Sequence, residues 1–234
     1  RAFVLAALGA AWFAAVPATA QDLPRAAKPE DVGLSSARLN RLSARMQQGV
    51  AQGELPGAVV LVARQGKVAY LESFGHRDPA NKVPMRSDAI FRIASMTKPF
   101  TSLAIMMLAE EGRLSIADDV TKHLPAFKEL KVGVVKRGAD GKAEVVLEPL
   151  RRPMTIQDLL RHTSGLTYGG AGPNPIKQAY VDAKVSSADD TNEQFVAKLA
   201  RIPLVFQPGT TWEHSVSTDV PGRIVAAVSG LTLD

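Results

Sequence analysis

From Lys98 to Glu111 the chain is helix-forming and apolar on nearly every side, with Leu103, Ala104, Ile105, Met106, Met107 and Leu108 in unbroken succession. A helix with no polar face has to be covered all round, which predicts a central position in the fold. Gly112 supplies its stop. The rest of the chain must therefore provide enough apolar surface to wrap this element. With 234 residues, 46% of them hydrophobic, it has the material for one large domain or two small ones. This composition excludes a disordered, collagenous or coiled-coil chain.

The flanking segments read as an α+β arrangement. Ser35 or Ser36 can cap a helix in which Leu39, Leu42, Met46 and Val50 recur at helical spacing. Gly57–Ala63 and Lys67–Phe74 are strand-like and flank a hairpin-sized turn, Arg64-Gln65-Gly66. A helix followed by a hairpin predicts an antiparallel sheet with a helix laid against it. Asp78–Ser87 reads as loop, and Ala89–Ile93 as a short buried run. Val132–Leu147 reads as a second hairpin about Asp140-Gly141. Thr155 with Asp158, and Thr191 with Gln194, match the capping-box pattern and mark two helix starts. A last helix is expected from about Ser217 to Ser229; Pro221 either starts it, where proline is welcome, or kinks it because an interior proline removes a hydrogen bond, and the kink is the favoured reading. The resulting division is a linker over 21–32, a helix-and-hairpin lobe over 33–92 and a mostly helical lobe over 93–234.

Several chemistries drop out early. The chain has no cysteine, which removes disulfide scaffolds, thiolate metal sites and cysteine nucleophiles together. Its four histidines show no metal-ligand spacing, so no metal site is expected. A net charge of +5 permits an acidic partner, but the most basic stretch, Lys128–Arg152, is interleaved with Glu129, Asp140, Glu144 and Glu148. Nucleic-acid binding needs clustered cations, so no such partner is expected.

The ends carry their own signals. Arg1, the apolar run Ala2–Val16 and Ala18-Thr19-Ala20 before Gln21 resemble a secretory signal peptide over 1–20. The run is shorter than the roughly 20 residues of a spanning helix. A periplasmic or secreted product without stable membrane insertion is expected. Past Gly230 the chain stops soon after the last helix, so a piece of a longer protein is expected, with later strands of the sheet missing. An exposed sheet edge and an uncovered apolar face follow from that expectation.

Ser95-Met96-Thr97-Lys98 fits the S-x-x-K pattern of serine acylation. A serine at the start of a helix and a lysine three residues on share one face. The helix N-terminus adds backbone N–H groups and a positive dipole for a developing oxyanion. A desolvated lysine amine there can accept the serine proton or hold a neighbouring base ready. The pattern is short, and an N-cap serine beside a solvated lysine satisfies it equally well. What favours chemistry is its place at the mouth of the most apolar helix, where a solvated lysine is out of keeping.

Four ordered segments then carry a resemblance: Leu55–Val60, Phe91–Ser102, Leu159–Leu166 and Phe206–Asp219. Together they resemble class C β-lactamase-related serine hydrolases, a group that includes penicillin-binding-like proteins and family VIII carboxylesterases. The resemblance implies a serine β-lactamase/DD-peptidase-like fold, with one lobe of antiparallel sheet flanked by helices and one all-helical lobe. It implies that Ser95 is the nucleophile, Lys98 its activating partner and the Ser95 N–H half of the oxyanion hole. His162-Thr163-Ser164-Gly165 matches a segment that in the family is a structural turn near the site, so His162 as a base is the lesser reading. His76 and His123 match nothing.

At the family's second motif, Tyr-x-Asn or Tyr-Ser-x, this chain has His214, Ser215 and Val216. An imidazole titrates near ~6.5 against ~10 for a phenol, so a histidine is chemically competent as a base, although shorter. His214 is accordingly a catalytic candidate, and Ser215 and Val216 are candidates for binding substrate. Val216 removes the amide that Tyr-x-Asn enzymes offer to a substrate amide. The third motif, Lys-Thr-Gly or a His/Trp-x-Gly variant, does not occur after Asp219. The activity implied is acyl-enzyme hydrolysis of small esters, with β-lactam or D-amino-acid peptide hydrolysis next, or a non-catalytic homologue of the fold. The partner implied is a small ester or amide, no cofactor is implied, and the piece by itself is expected to be inactive.

Overall fold

A computed structural model describes residues 22–138, 143–170 and 174–232 of the chain. The expected signal segment and the Asp140-Gly141 turn lie outside these residues. The chain divides into two compact units, one ending at Arg92 and one beginning at Ile93.

In the first unit, α1 (Ser36–Ala51) starts where Ser35 accepts the Arg38 N–H, the capping bond its hydroxyl predicts. Strands β1 (Gly57–Arg64) and β2 (Lys67–Asp78) pair antiparallel from Gly57 opposite Gly75 to Arg64 opposite Lys67. Gln65 and Gly66 both have positive φ, 53° and 70°, the two-residue turn whose twist matches paired strands. Helix α1 packs on β2, where Ser43 Oγ lies 2.8 Å from both Tyr70 Oη and Glu72 Oε2. Strand β2 runs past the expected end and pairs with a two-residue strand, β3 (Val83–Pro84), inside what reads as loop. Opposite Gly57, the backbone of Gly75 has φ +65°, and a Cβ there would lie 2.5 Å from the Pro56 carbonyl oxygen, so only glycine fits. Strand β1 is an edge of this sheet, and Leu61 on it is 54% exposed. The apolar run Ala89–Ile93 is not buried as expected. It forms no helix or strand, and Ile90, Phe91 and Ile93 are exposed, because an apolar run without backbone pairing has nothing to hold it inward.

The second unit contains the main core, built on Ile105, Ile156, Leu159, Leu199, Leu204 and Ile224. Helix α2 (Thr97–Glu110) packs on α6 (Val220–Ser229). It ends in a Schellman motif, Gly112 N–H to the Ala109 carbonyl and Arg113 N–H to the Leu108 carbonyl. Contrary to the central placement expected of it, α2 buries only Ile105 and Leu108, leaving Phe100, Leu103, Met106 and Met107 exposed. Strands β4 (Val132–Arg137) and β5 (Ala143–Glu148) form the second hairpin. Helices α3 (Ile156–Leu160) and α5 (Asn192–Leu199) open with complete capping boxes at Thr155 and Thr191, and α4 (Pro175–Asp182) with Asn174 as its cap. The expected kink at Pro221 is absent. A 3-10 turn over Val216–Thr218 ends first, and α6 starts afresh at Val220, so Pro221 falls in the first turn, where its missing N–H has no partner to lose. Antiparallel sheets and helices thus make the chain α+β.

Candidate active site

The second unit holds all the groups in question. Ser95 is the middle residue of a 3-10 turn, Ala94–Met96, that feeds directly into α2. Ala94 before it has φ +46°, a left-handed conformation that costs a residue with a Cβ about 1–2 kcal/mol. This bend leaves Ser95 exposed at the helix mouth, and its hydroxyl holds no hydrogen bond among the described residues.

Lys98 follows in the first turn of α2 with its side chain only 18% exposed, and its Nζ lies 3.8 Å from Asp219 Oδ2. The contact arises because α2 packs against the 3-10 turn and the start of α6 on either side of Asp219. Burial pushes the Asp219 carboxyl up, and the nearby charges of Lys98 and His214 oppose that rise. Asp219 was not among the candidates drawn from sequence, although it closes the last of the four matching segments.

His214 is exposed, and its ring centroid stands 5.2 Å from that of His162 and 5.3 Å from that of Tyr168. His162 is half-buried. Burial lowers its pKa below the ordinary 6.5, and the charges of His214 and Lys98 lower it further. Lys98 and His214 thus lie near enough to act on both His162 and Asp219.

Ser215 lies in the interior. It is fully buried, with its Oγ 2.7 Å from Ser217 Oγ and 3.4 Å from His162 Nδ1, and it caps the 3-10 turn. Its hydroxyl contacts Ser217 and His162 inside the fold. Val216 is 4% exposed and borders a cleft shared with Tyr168, Phe195 and Asp219. His123 belongs elsewhere, with Nε2 3.0 Å from Asp118. No group of three potential metal ligands occurs among the described residues.

The beta-lactamase family profile matches residues 42–234. The chain is 40% identical over 181 residues to protein Rv1367c of Mycobacterium tuberculosis, covering 77% of this chain and 43% of that protein. It is 37% identical over 196 residues to esterase EstB of Burkholderia gladioli, covering 82% and 46% respectively. Among solved structures, EstCE1, a hydrolase with promiscuous acyltransferase activity, superposes with a TM-score of 0.69 at 31% identity, covering 83% of this chain and 48% of that one. The chain thus spans less than half the length of these relatives.

Proposed function

Because this chain belongs to the beta-lactamase family, we propose that the protein is an exported serine hydrolase that forms an acyl-enzyme on Ser95 and acts on small carboxylic esters. The observation that carries this reading is the strained turn at Ala94, which sets Ser95 at the mouth of α2 with Lys98 one turn on.

In this reading the Ser95 Oγ attacks the ester carbonyl and gives up its proton to His214 as the new C–O bond forms. The oxyanion is met by the Ser95 N–H and the positive end of α2. Asp219, 3.8 Å from the Lys98 Nζ, holds that side chain beside the serine, where Lys98 activates Ser95 together with His214. The imidazolium then protonates the departing alkoxide. Water repeats the sequence on the acyl-enzyme, releasing the acid and restoring Ser95. Similarity to the esterase EstB favours esters, and the absence of an amide at Val216 argues against efficient β-lactam turnover. The promiscuous acyltransferase activity of EstCE1 supports a second reading in which an alcohol replaces water as acyl acceptor. The chain spans less than half the length of these relatives, and by itself it is expected to be inactive. Export rests on the segment Arg1–Ala20.

A fluorescent fluorophosphonate tests the nucleophile. Wild-type full-length protein should be labelled and hydrolyse p-nitrophenyl butyrate, and Ser95→Ala should do neither. A folded wild-type protein with no adduct on Ser95 would establish a non-catalytic homologue. N-terminal sequencing of the exported protein should begin at Gln21.

A further inference from the structure

We propose that His162 is a positioning residue, a two-point clamp that fixes the main chain on both sides of His214 and holds only while its Nδ1 is unprotonated. The proposal rests on the reading of His214 as the proton carrier.

The sequence suggests a plain turn here, and the geometry adds a purpose. After α3 the chain turns through His162 with φ +57°, a left-handed conformation that histidine, asparagine and aspartate adopt more readily than other non-glycine residues. That bend aims two acceptors of one residue at one segment. The Glu213 N–H donates to the His162 carbonyl at 3.0 Å, and the Ser215 N–H donates to the His162 Nδ1 at 3.2 Å. These are the N–H groups on either side of His214.

The clamp stands on rigid ground. Thr163 N–H donates to the Asp158 carbonyl at 2.9 Å, Thr163 Oγ1 donates to Asp158 Oδ1 at 2.9 Å, and Gly209 N–H donates to the Thr163 carbonyl at 2.7 Å. On the clamped segment, the Glu213 carboxylate is held by the Thr167 hydroxyl and, at 2.9 Å, by Lys177 Nζ. Trp212 packs edge-on to the His162 ring with centroids 6.1 Å apart, and Tyr168 meets His214 at 5.3 Å.

Because Nδ1 accepts the Ser215 N–H, it carries no hydrogen, and the neutral ring has its proton on Nε2. Protonating Nδ1 sets one N–H against another and releases the Ser215 main chain, leaving the ring only the Ser215 Oγ, 3.4 Å away, as an acceptor. Lys98 from α2 opposes this protonation, as does His214 from the clamped segment whenever it carries the serine proton.

The test compares two substitutions in the full-length protein. Asparagine offers an acceptor in the place of Nδ1, tolerates the left-handed backbone and does not titrate. Phenylalanine fills the volume and offers no acceptor. His162→Phe should lower kcat for p-nitrophenyl butyrate about 100-fold with little change in KM, the loss expected from misplacing a catalytic group by about 1 Å. His162→Asn should stay within about threefold of wild type and lose the acid-side fall in rate that belongs to His162. Equal rates and pH profiles for wild type and the phenylalanine variant would overturn the proposal, as would an asparagine variant that falls as far. Imidazole 15N NMR of the wild type decides independently of folding of the variants and of activity. It should show His162 Nδ1 bare and Nε2 protonated at pH 7, with the Ser215 amide signal shifting as His162 titrates. A proton on Nδ1 at pH 7 overturns the clamp, whereas an unlabelled Ser95 with the NMR signature intact would overturn only the enzymatic reading.

Discussion

Replacing Asp158 with asparagine should unsettle the whole turn that carries His162. The carboxylate is 5% exposed and takes a paired contact from Arg152, at 2.6 and 2.8 Å, with further bonds from the Thr155 N–H, Thr155 Oγ1 and Thr163 Oγ1 at 2.8–2.9 Å. Burial by itself raises the carboxyl, but the donors from Arg152, Thr155 and Thr163 outweigh it and hold the group at about 2 against an ordinary 3.8. That difference corresponds to about 2.5 kcal/mol of stability at neutral pH. The sign follows from the depressed value. The native state binds fewer protons than the unfolded chain between pH 2 and 4, so the contribution is full above about pH 4 and lost as pH falls through about 2. Asparagine keeps the shape and removes the charge. Urea unfolding at pH 7 should show a midpoint lowered by about 1 M, with the gap between wild type and variant closing to less than about 0.5 kcal/mol at pH 2. Equal midpoints at pH 7, or a gap that persists undiminished at pH 2, would refute the assignment of stability to this carboxylate.

Ala94→Gly should raise stability by about 0.5–1 kcal/mol in the same assay, because glycine adopts φ +46° without a Cβ clash, and Ala94→Val should lower it. Thr191→Ala removes the side-chain half of the α5 capping box and should cost about 1 kcal/mol, read as a lower melting temperature. His214→Gln should slow fluorophosphonate acylation of Ser95 at least about 100-fold, as expected on removing a general base, while His214→Tyr restores it. An unchanged labelling rate in the glutamine variant would take the proton-carrying role away from His214.

Local chemistry made much of the fold legible in advance. Ser35, Thr155 and Thr191 announce helix starts because a cap and its target lie within three residues, and Gln65-Gly66 announces a hairpin because the turn needs positive φ at both positions. Pro221 carried two opposite readings, interior kink or first turn, and only the end of the preceding 3-10 turn at Thr218 decides between them. The apolar run at Ala89–Ile93 misleads because hydrophobicity says what prefers burial, not what is available to cover it. The site divides in the same way. Ser95 and Lys98 are one helical turn apart and visible as a pattern, whereas Lys98 with Asp219 and His162 with Ser215 meet only through tertiary packing. The buried capping role of Ser215 was not legible, because a short polar residue beside a motif does not show which groups packing will bring to it.

The clamp joins residues separated by 53 positions, and the Lys98–Asp219 contact joins residues farther apart still. Closing loops of that length costs conformational entropy before any contact repays it, so such pairs form late on a folding pathway. The capping boxes and the Gln65-Gly66 turn can form while the chain is still open. During refolding, helical signal should therefore return ahead of Ser95 reactivity, and the lag between them measures the time at which the two distant segments first engage.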